Sequence, residues 1–351
     1  MRDPKPYLTI EQQIERLSSR GMLVADEQNA ERWLSMVGYY RLSGYWYPFY
    51  SSNDAGQRVD EFMPGTTFDD VAGLYEFDRH LKNHLLSAIE RVEVAMRSKI
   101  GHTLGARGSL AHLDASNFDM DFVQRGDHMD WLAIAFGRVK RQRGKDVSLK
   151  HHFQNYAGQV PVWVLTEVLD FSDLSKLYVG LKAEDRDAIA RQLGVPQPGV
   201  SDVPRHGRGS SAHRRDRRRR SDGPSGALSK PLEQLAIVRN ICAHHSRLWN
   251  RKLMPIGTPL LQSLPEFDGV PAQTDTVYGT ICSAAFLLDA ISPGNTWVTR
   301  LRLLIDDRFP YGLRSLGEMG FPPNWSELPL WSTTSISSPL SLGLEDTGEI
   351  P

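Results

Sequence analysis

The sequence predicts an all-α protein, a helical bundle preceded by an N-terminal helical extension. Apolar residues recur every three or four positions over residues 74–100, which is typical of one long amphipathic helix. Helix-start signals occur at several points along the chain. No segment makes a convincing strand ladder. With 351 residues and 40% hydrophobic side chains, the chain is long enough to bury a sizeable core.

We assign residues 1–65 to the N-terminal extension. Thr9 and Gln12 predict a capping box for a helix that runs to about Ser19, and Asp26 caps a second helix. An aromatic stretch follows, with the sequence Tyr-Tyr-Arg-Leu-Ser-Gly-Tyr-Trp-Tyr-Pro-Phe over residues 39–49. Its rings either pack the extension on the main body or stack on nucleic-acid bases. The extension then continues as a loop over residues 51–65.

The longest predicted helix opens at Thr67, which forms a second capping box with Asp70. Its apolar stripe has eight members: Leu74, Phe77, Leu81, Leu85, Ile89, Val92, Met96 and Ile100. Gly101 and Gly105 mark its end. Beside the stripe, three charged residues share one face at i, i+3 and i+7: Glu90, Glu93 and Arg97. These charges form either a solvated edge with local ion pairs or the lining of a site.

Residues 66–195 and 228–305 form the main helical domain in this prediction. After the long helix, the pattern predicts helices near 127–142, 161–180, 184–193, from Ser229 past residue 242, 272–291 and 294–305. Residues 196–227 are rich in Pro, Gly, Ser and Arg and are predicted to be a disordered basic insertion. Residues 306–351 are predicted to be a C-terminal tail, largely disordered from about residue 326.

The charge of the chain is concentrated in that insertion. Residues 205–220 contain eight arginines and one acid, a local charge of +7, although the whole chain has a formal net charge of −1. Attraction to polyanions is therefore local. The two cysteines, Cys242 and Cys282, fit a reducing cytosol better than a disulfide framework. We expect a cytoplasmic protein, since neither a signal peptide nor a membrane span is recognisable.

Residues 239–250 read Arg-Asn-Ile-Cys-Ala-His-His-Ser-Arg-Leu-Trp-Asn and are the most informative segment. Asn240 and His244 are four residues apart and share one stripe of a helix, while the long side chain of Arg239 can reach the same cleft. A guanidinium can hold a phosphate, and an imidazole can move a proton near neutral pH. These groups predict metal-independent, cofactor-free RNA cleavage through the 2′-hydroxyl, which leaves a 2′,3′-cyclic phosphate and a 5′-hydroxyl.

An Arg-x4-His pair taken alone is common by chance. The alternative interpretation is an arginine and a histidine that solvate a helix end. His245 lies one residue beyond the Asn240 stripe, so we expect it to pack or to hydrogen-bond structurally. The remainder of the chain raises the odds of a functional site.

Further segments accompany the motif in a fixed order: Lys5-Pro6 to Leu8, Gly38 to Tyr45 with Pro48-Phe49, Tyr75 to Leu81, Ala88 to Arg97, Trp163 to Glu167 with Phe171 and Leu174-Ser175, and Val238 to Arg251. Together these residues resemble the abortive-infection (Abi, AbiD/AbiF-like) family of bacterial phage-defence proteins. The resemblance covers roughly residues 5–305, and its last segment is highly specific.

The resemblance implies a HEPN-like helical bundle. Ribonucleases with this fold carry the Arg-x4-His motif in the form Arg-Asn-x3-His. Such domains typically form homodimers, in which two motif helices face each other and build one RNase cleft. It also implies that Arg239, Asn240 and His244 are the catalytic set. Glu90, Glu93 and Arg97 would support them from the preceding helix.

Two features depart from the family pattern. About thirty extra residues precede the motif helix, and six of their arginines are weak candidates for RNA binding: Arg214, Arg215, Arg217, Arg218, Arg219 and Arg220. The insertion is either an RNA-attracting arm or the product of a shifted reading frame. Ser172 stands where the family tends to have glycine, which alters a turn at most.

Three functions remain open at this point. The favoured one is a phage-defence endoribonuclease, a toxin that halts host growth by cutting RNA. The second is a non-catalytic RNA-binding or sensor module of the same fold. The third is a helical protein held inactive by a cognate antitoxin protein or small RNA.

Overall fold

A computed structural model describes residues 6–195, 227–256, 267, 269–270 and 275–332. In these ranges the chain forms fourteen α-helices and one short hairpin, which confirms the all-α class. The helices are α1 Ile10–Ser18, α2 Glu27–Met36, α3 Tyr39–Trp46, α4 Phe68–Gly105, α5 Met120–Gln124, α6 Asp127–Gln142, α7 Val147–Asn155, α8 Val162–Val168, α9 Phe171–Gly180, α10 Ala183–Gln192, α11 Ser229–Ala243, α12 Val277–Ile291, α13 Trp297–Arg308 and α14 Pro329–Ser332. The two strands are β1 Tyr50–Ser52 and β2 Arg58–Phe62.

Helix α4 is the axis of the fold. The predicted capping box of Thr67 and Asp70 begins it, and at about 1.5 Å per residue it is roughly 57 Å long. All eight residues of the predicted apolar stripe are at most 1% exposed. Helices α3, α8, α9, α11, α12 and α13 pack around it. Gly101 lies inside the helix, where the missing side chain lets Trp163 approach; a Cβ there would lie 3.3 Å from the Trp163 Cα.

The N-terminal extension follows the prediction in its first two helices. Thr9 and Gln12 form a capping box, and Asp26 accepts a hydrogen bond from the backbone N–H of Asn29. The segment predicted as a loop at 51–65 instead contains the β1–β2 hairpin, in which Tyr50 pairs with Phe62. The Tyr50 and Phe62 rings stack with centroids 4.6 Å apart. Polar residues at the turn concealed this short ladder.

The C-terminal part also differs from the prediction of a tail from residue 306. Beyond α13, two 3₁₀ turns and α14 carry aromatic rings onto α12. The Trp331 indole N–H donates to the Tyr278 hydroxyl at 3.1 Å, and the Trp325 and Trp331 ring centroids are 4.7 Å apart. Widely spaced aromatics supply this packing, although the surrounding composition is that of a loop. The described chain ends at Ser332.

The predicted basic insertion, with its six candidate arginines, lies outside the described residues. Within those residues, no helix combines the length and the apolar character that crossing a bilayer requires.

Candidate active site at the end of the motif helix

Helix α11 carries the Arg-Asn-x3-His motif, and we call it the motif helix. It begins at Ser229, and Leu228 occupies the capping position without a side-chain hydrogen bond to the helix. Its buried face includes Leu232, Leu235, Val238 and Cys242, which are at most 2% exposed. Burial and the nearby Asp78 raise the pKa of the Cys242 thiol to about 12, so Cys242 is an inert core residue.

The motif helix ends just before His244. The His245 N–H donates to the Cys242 carbonyl and the Ser246 N–H to the Ile241 carbonyl, both at 3.0 Å, which is a Schellman motif. His245 takes the left-handed conformation that this motif requires, with φ of 53°. His244 is the capping residue, and its N–H still donates to the Asn240 carbonyl at 3.0 Å. His244 therefore continues the Asn240 stripe, as predicted.

His245 forms its structural hydrogen bonds through its backbone rather than through its ring. The Arg41 guanidinium donates to the His245 carbonyl at 2.6 Å, so α3 is fastened to the end of the motif helix. The side chains of both histidines are exposed. Among the described residues, nothing hydrogen-bonds to the His244 ring.

One side of the motif helix is only partly covered by the described part of the chain. Five of its residues, spaced three or four apart, form a partly or fully exposed stripe: Lys230, Glu233, Ile237, Asn240 and His244. We call this set the exposed stripe. It combines charged, apolar and hydrogen-bonding groups and ends on the imidazole. A helix face of this kind is accessible to a ligand or to another protein chain.

Arg239 lies beside that stripe and reaches from Asn240 to Glu93 of α4. Its Nε lies 3.7 Å from Glu93 Oε2, and its Nη1 donates to Asn240 Oδ1 at 3.3 Å. Glu93 is 6% exposed and also binds Arg97, whose Nη2 is 2.5 Å from Glu93 Oε1. Arg97 is held by the carbonyls of Thr166 and Leu169 as well. The buried carboxylate thus lies between two guanidinium groups and limits where Arg239 can go.

Glu90 occupies a different position from its two predicted companions. It is exposed, one helical turn before Glu93, and makes no ion pair among the described residues. Together with Glu93 and Arg239 it lines a recess of about 370 Å³. The structure therefore joins Arg239, Glu93 and Arg97 directly and leaves Glu90 at the rim.

A second recess flanks the motif helix on the other side. It has a volume of about 630 Å³, lies between α6, α9 and the motif helix, and is lined in part by Trp131, Ile134, Ile237 and Asn240. Arg239 and Asn240 consequently form a ridge between two depressions, with His244 at its end. A ridge that offers guanidinium and amide donors next to an imidazole can contact a phosphodiester from above.

The sequence alone did not single out a buried polar centre that lies beneath this ridge. Asp78 of α4 is fully buried and accepts hydrogen bonds from the Tyr45 hydroxyl at 2.7 Å and from the backbone N–H of Trp249 at 2.7 Å. The Leu248 N–H donates to it at 3.2 Å, and Lys82 Nζ lies 3.1 Å away. We call Asp78, Tyr45 and Lys82 the Asp78 centre.

The Asp78 centre fixes the loop that follows the motif. Lys82 also donates to the Ser246 carbonyl at 3.3 Å, and the Arg247 guanidinium hydrogen-bonds to the Gly44 carbonyl. Burial and the Asp78 carboxylate raise the Tyr45 pKa far above its usual value, so the hydroxyl remains a donor. The sequence held one sign of the Asp78 centre: Asp78 and Lys82 are an acid and a base four residues apart, immediately beside the apolar stripe of α4.

Comparison with known proteins identifies the family to which this chain belongs. The family model described as Abi-like protein matches residues 32–250, which is more than half of the chain. No curated protein and no solved structure matches the chain significantly. The matched span includes α3, the Asp78 centre, Glu93 and the whole motif, and the family supports a role in abortive infection, a form of phage defence. The chain belongs to the Abi-like protein family.

Proposed function

We propose that this protein is a metal-independent endoribonuclease that acts in phage defence and uses Arg239, Asn240 and His244. One observation carries the proposal. An exposed imidazole ends a helix whose preceding turn presents an amide and a guanidinium, and that guanidinium is braced by the buried carboxylate of Glu93. Such bracing fixes a phosphate-binding group in advance, which is what stabilisation of developing charge requires.

The proposed reaction is an internal transfer at phosphorus. His244 takes the proton from a ribose 2′-hydroxyl, the 2′-oxygen attacks the adjacent phosphorus, and the bond to the 5′-oxygen breaks. A protonated imidazole returns a proton to the leaving 5′-oxygen. Arg239 stabilises the charge that grows on the non-bridging oxygens, and Asn240 orients the phosphate or the imidazole. The products are a 2′,3′-cyclic phosphate and a 5′-hydroxyl, so DNA is resistant.

A homodimer supplies the second imidazole that this scheme uses. The exposed stripe of the motif helix is the surface we assign to the seam, because it includes the partly exposed Ile237 between polar neighbours. Two such stripes packed about a twofold axis bring two motifs together, as in HEPN-like domains. The mass of the protein in solution measures this part of the proposal directly.

A second candidate is an RNA-binding or sensor module without catalysis. It is favoured by one observation: Arg239 forms an ion pair with Glu93 and a hydrogen bond with Asn240, while the His244 ring hydrogen-bonds to none of these three residues. Control by an antitoxin protein or a small RNA is compatible with both candidates. In this second case Arg239→Ala weakens RNA binding, yet the wild-type protein never cuts.

The decisive experiment compares wild type with His244→Ala on mixed cellular RNA in the presence of EDTA. We expect the wild type to cut and His244→Ala to lose cleavage by at least about 100-fold, because removing a general acid or base costs roughly that factor. Mass spectrometry of the wild-type fragments should show 2′,3′-cyclic phosphate ends. Circular dichroism verifies that the variant retains its helices.

The neighbouring histidine provides a matched control. His245→Asn removes a second exposed imidazole but keeps a residue that tolerates the left-handed conformation. It should cleave like wild type. Undiminished cutting by His244→Ala, or equal loss in both variants, would refute the assigned role of His244.

A further inference from the structure

The N-terminal extension contains a groove that the proposed reaction does not use. Its volume is about 870 Å³, and it lies between α1, α3 and the β1–β2 hairpin. Tyr40 and Tyr47 line it, and these two residues are 93% and 54% exposed. The Tyr47 ring packs edge-to-face against the Tyr50 ring, with centroids 6.2 Å apart, whereas no ring contact within the described residues explains Tyr40. Stacking on a flat ligand is what a ring as accessible as that of Tyr40 does best.

Cationic groups accompany those rings. Arg16 lines the groove, and none of the ion pairs among the described residues involves it. Arg20 also lines it, and its charge is offset by Asp60. At the rim, the Arg58 guanidinium carbon lies 3.7 Å from the centroid of the Tyr47 ring, so one ring face is already covered by a cation. The combination suits a ligand with both planar faces and negative charge.

The groove is also adjacent to the candidate active site. Tyr40 and Arg41 are neighbours on α3, and Arg41 bonds to the His245 carbonyl at the end of the motif helix. A helix is about 10–12 Å across with its side chains, so α3 separates the groove from His244 by little more than its own width. An extended strand of a few nucleotides can reach from one to the other.

We propose that this groove binds single-stranded RNA, with bases stacked on Tyr40 and Tyr47 and a phosphate held by Arg16. This rests on the proposed function for the nature of the strand, and it goes further by naming where the strand is held outside the reacting site. Recognition by ring faces favours no particular base, because every base offers a π-face. The groove therefore confers preference for unpaired over paired RNA rather than for one sequence.

The test measures binding of a fluorescein-labelled 2′-O-methyl dodecauridylate by the full-length protein. The 2′-O-methyl groups prevent cleavage through the 2′-oxygen, so binding is measured whether or not the protein is a ribonuclease. We expect Tyr40→Ala to weaken binding about tenfold, the typical effect of losing one stacked base. Arg16→Gln should weaken binding. It should also make the slope of log K against log salt concentration shallower by about one unit, which corresponds to one lost phosphate contact.

Two controls make the result specific. Tyr311→Ala removes a tyrosine that is 56% exposed but lies outside the groove, and it should bind like wild type. An abasic oligomer of the same length keeps every phosphate and lacks the bases, so it should compete poorly. Competition by the abasic oligomer equal to that of the intact one, or wild-type binding by both Tyr40→Ala and Tyr47→Ala, overturns the proposal.

These outcomes are independent of the fate of the ribonuclease assignment. If Tyr40→Ala binds weakly and no preparation cuts RNA, the groove stands and the catalytic proposal fails. If wild type cuts and the groove variants bind and cut like wild type, the catalytic proposal stands and the groove fails.

Discussion

The exposed ridge of the motif helix and the Asp78 centre beneath it are both rich in polar groups, yet they are built differently. The Asp78 centre brings separate parts of the chain together: Asp78 and Lys82 from α4, Tyr45 from α3, and the backbone of residues 248–249. On the ridge, the side chains of His244 and Asn240 leave most of their hydrogen-bonding capacity unused within the part of the chain that the structure describes.

The difference separates polar groups that hold the fold from polar groups that are available for chemistry. A buried, fully bonded carboxylate specifies one arrangement of the backbone, and its removal leaves other buried groups unsatisfied. An exposed imidazole contributes little to stability and is free to exchange protons. Glu93 lies between these regions, because it is buried but bonds to the ridge residue Arg239.

The largest effect that this comparison predicts is on stability at Asp78. Asp78→Ala leaves the buried Lys82 ammonium without its counter-charge and two backbone N–H groups without an acceptor. We expect the free energy of unfolding to fall by about 3–5 kcal/mol. Urea denaturation followed by circular dichroism measures the change.

A matched surface control is Glu90→Ala on the same helix. It should change the unfolding free energy by no more than about 0.5 kcal/mol, because it removes an exposed carboxylate that forms no ion pair with any described residue. Equal stability of Asp78→Ala and Glu90→Ala would break the comparison.

A smaller effect should appear as the pH falls, through a buried histidine remote from both regions. Burial, followed by the charge of the neighbouring His128, lowers the pKa of His112 from 6.5 to about 4. Because the unfolded chain binds that proton at a higher pH than the folded chain does, stability falls as the pH drops from about 6.5 toward about 4. Thermal melts across this range measure the slope.

Replacing the titrating group tests the assignment. His112→Phe should flatten the slope, whereas Leu113→Ala, a change at an exposed neighbour that does not titrate, should preserve it. A slope in His112→Phe as steep as in wild type would show that other groups dominate the acid sensitivity.

The sequence predicted the helices well where periodicity and caps agree. Thr67 with Asp70 and the eight-residue stripe of α4 located the central helix, because helix-start chemistry and burial act on the same local pattern. The Arg239–His244 segment was recognisable for the same reason, since one helix end holds all three groups. Contacts between distant segments carry no local signal.

The Asp78 centre shows what local patterns omit. Asp78 and Trp249 are 171 residues apart in sequence, so nothing near either residue announces their hydrogen bond. The aromatic stretch likewise gave no sign of which rings would be buried. Its Tyr45 is 2% exposed and Tyr40 is 93% exposed, a division set by which face of α3 meets α4.

Glu93→Gln tests whether Glu93 belongs with the groups that hold the fold or with those available for chemistry. Among these changes to buried groups, we expect it to alter stability least. Gln keeps the shape of the side chain and removes the charge that holds Arg97 and Arg239. The cost should be about 1–2 kcal/mol, less than at Asp78, because Arg97 retains the carbonyls of Thr166 and Leu169 and Arg239 is partly solvated.

The informative readout for Glu93→Gln is the division between stability and activity. If Glu93 positions Arg239 for a phosphate, the Glu93→Gln protein cleaves RNA more slowly while its helices stay folded. Glu93→Asp keeps the negative charge but has a side chain one methylene shorter, so it should cleave RNA more slowly than the wild type as well. Glu90→Gln, at the rim of the same recess, is the paired control and should cut like wild type. A Glu93→Gln protein that is less stable but cleaves normally would place Glu93 with Asp78, among the groups that only hold the fold.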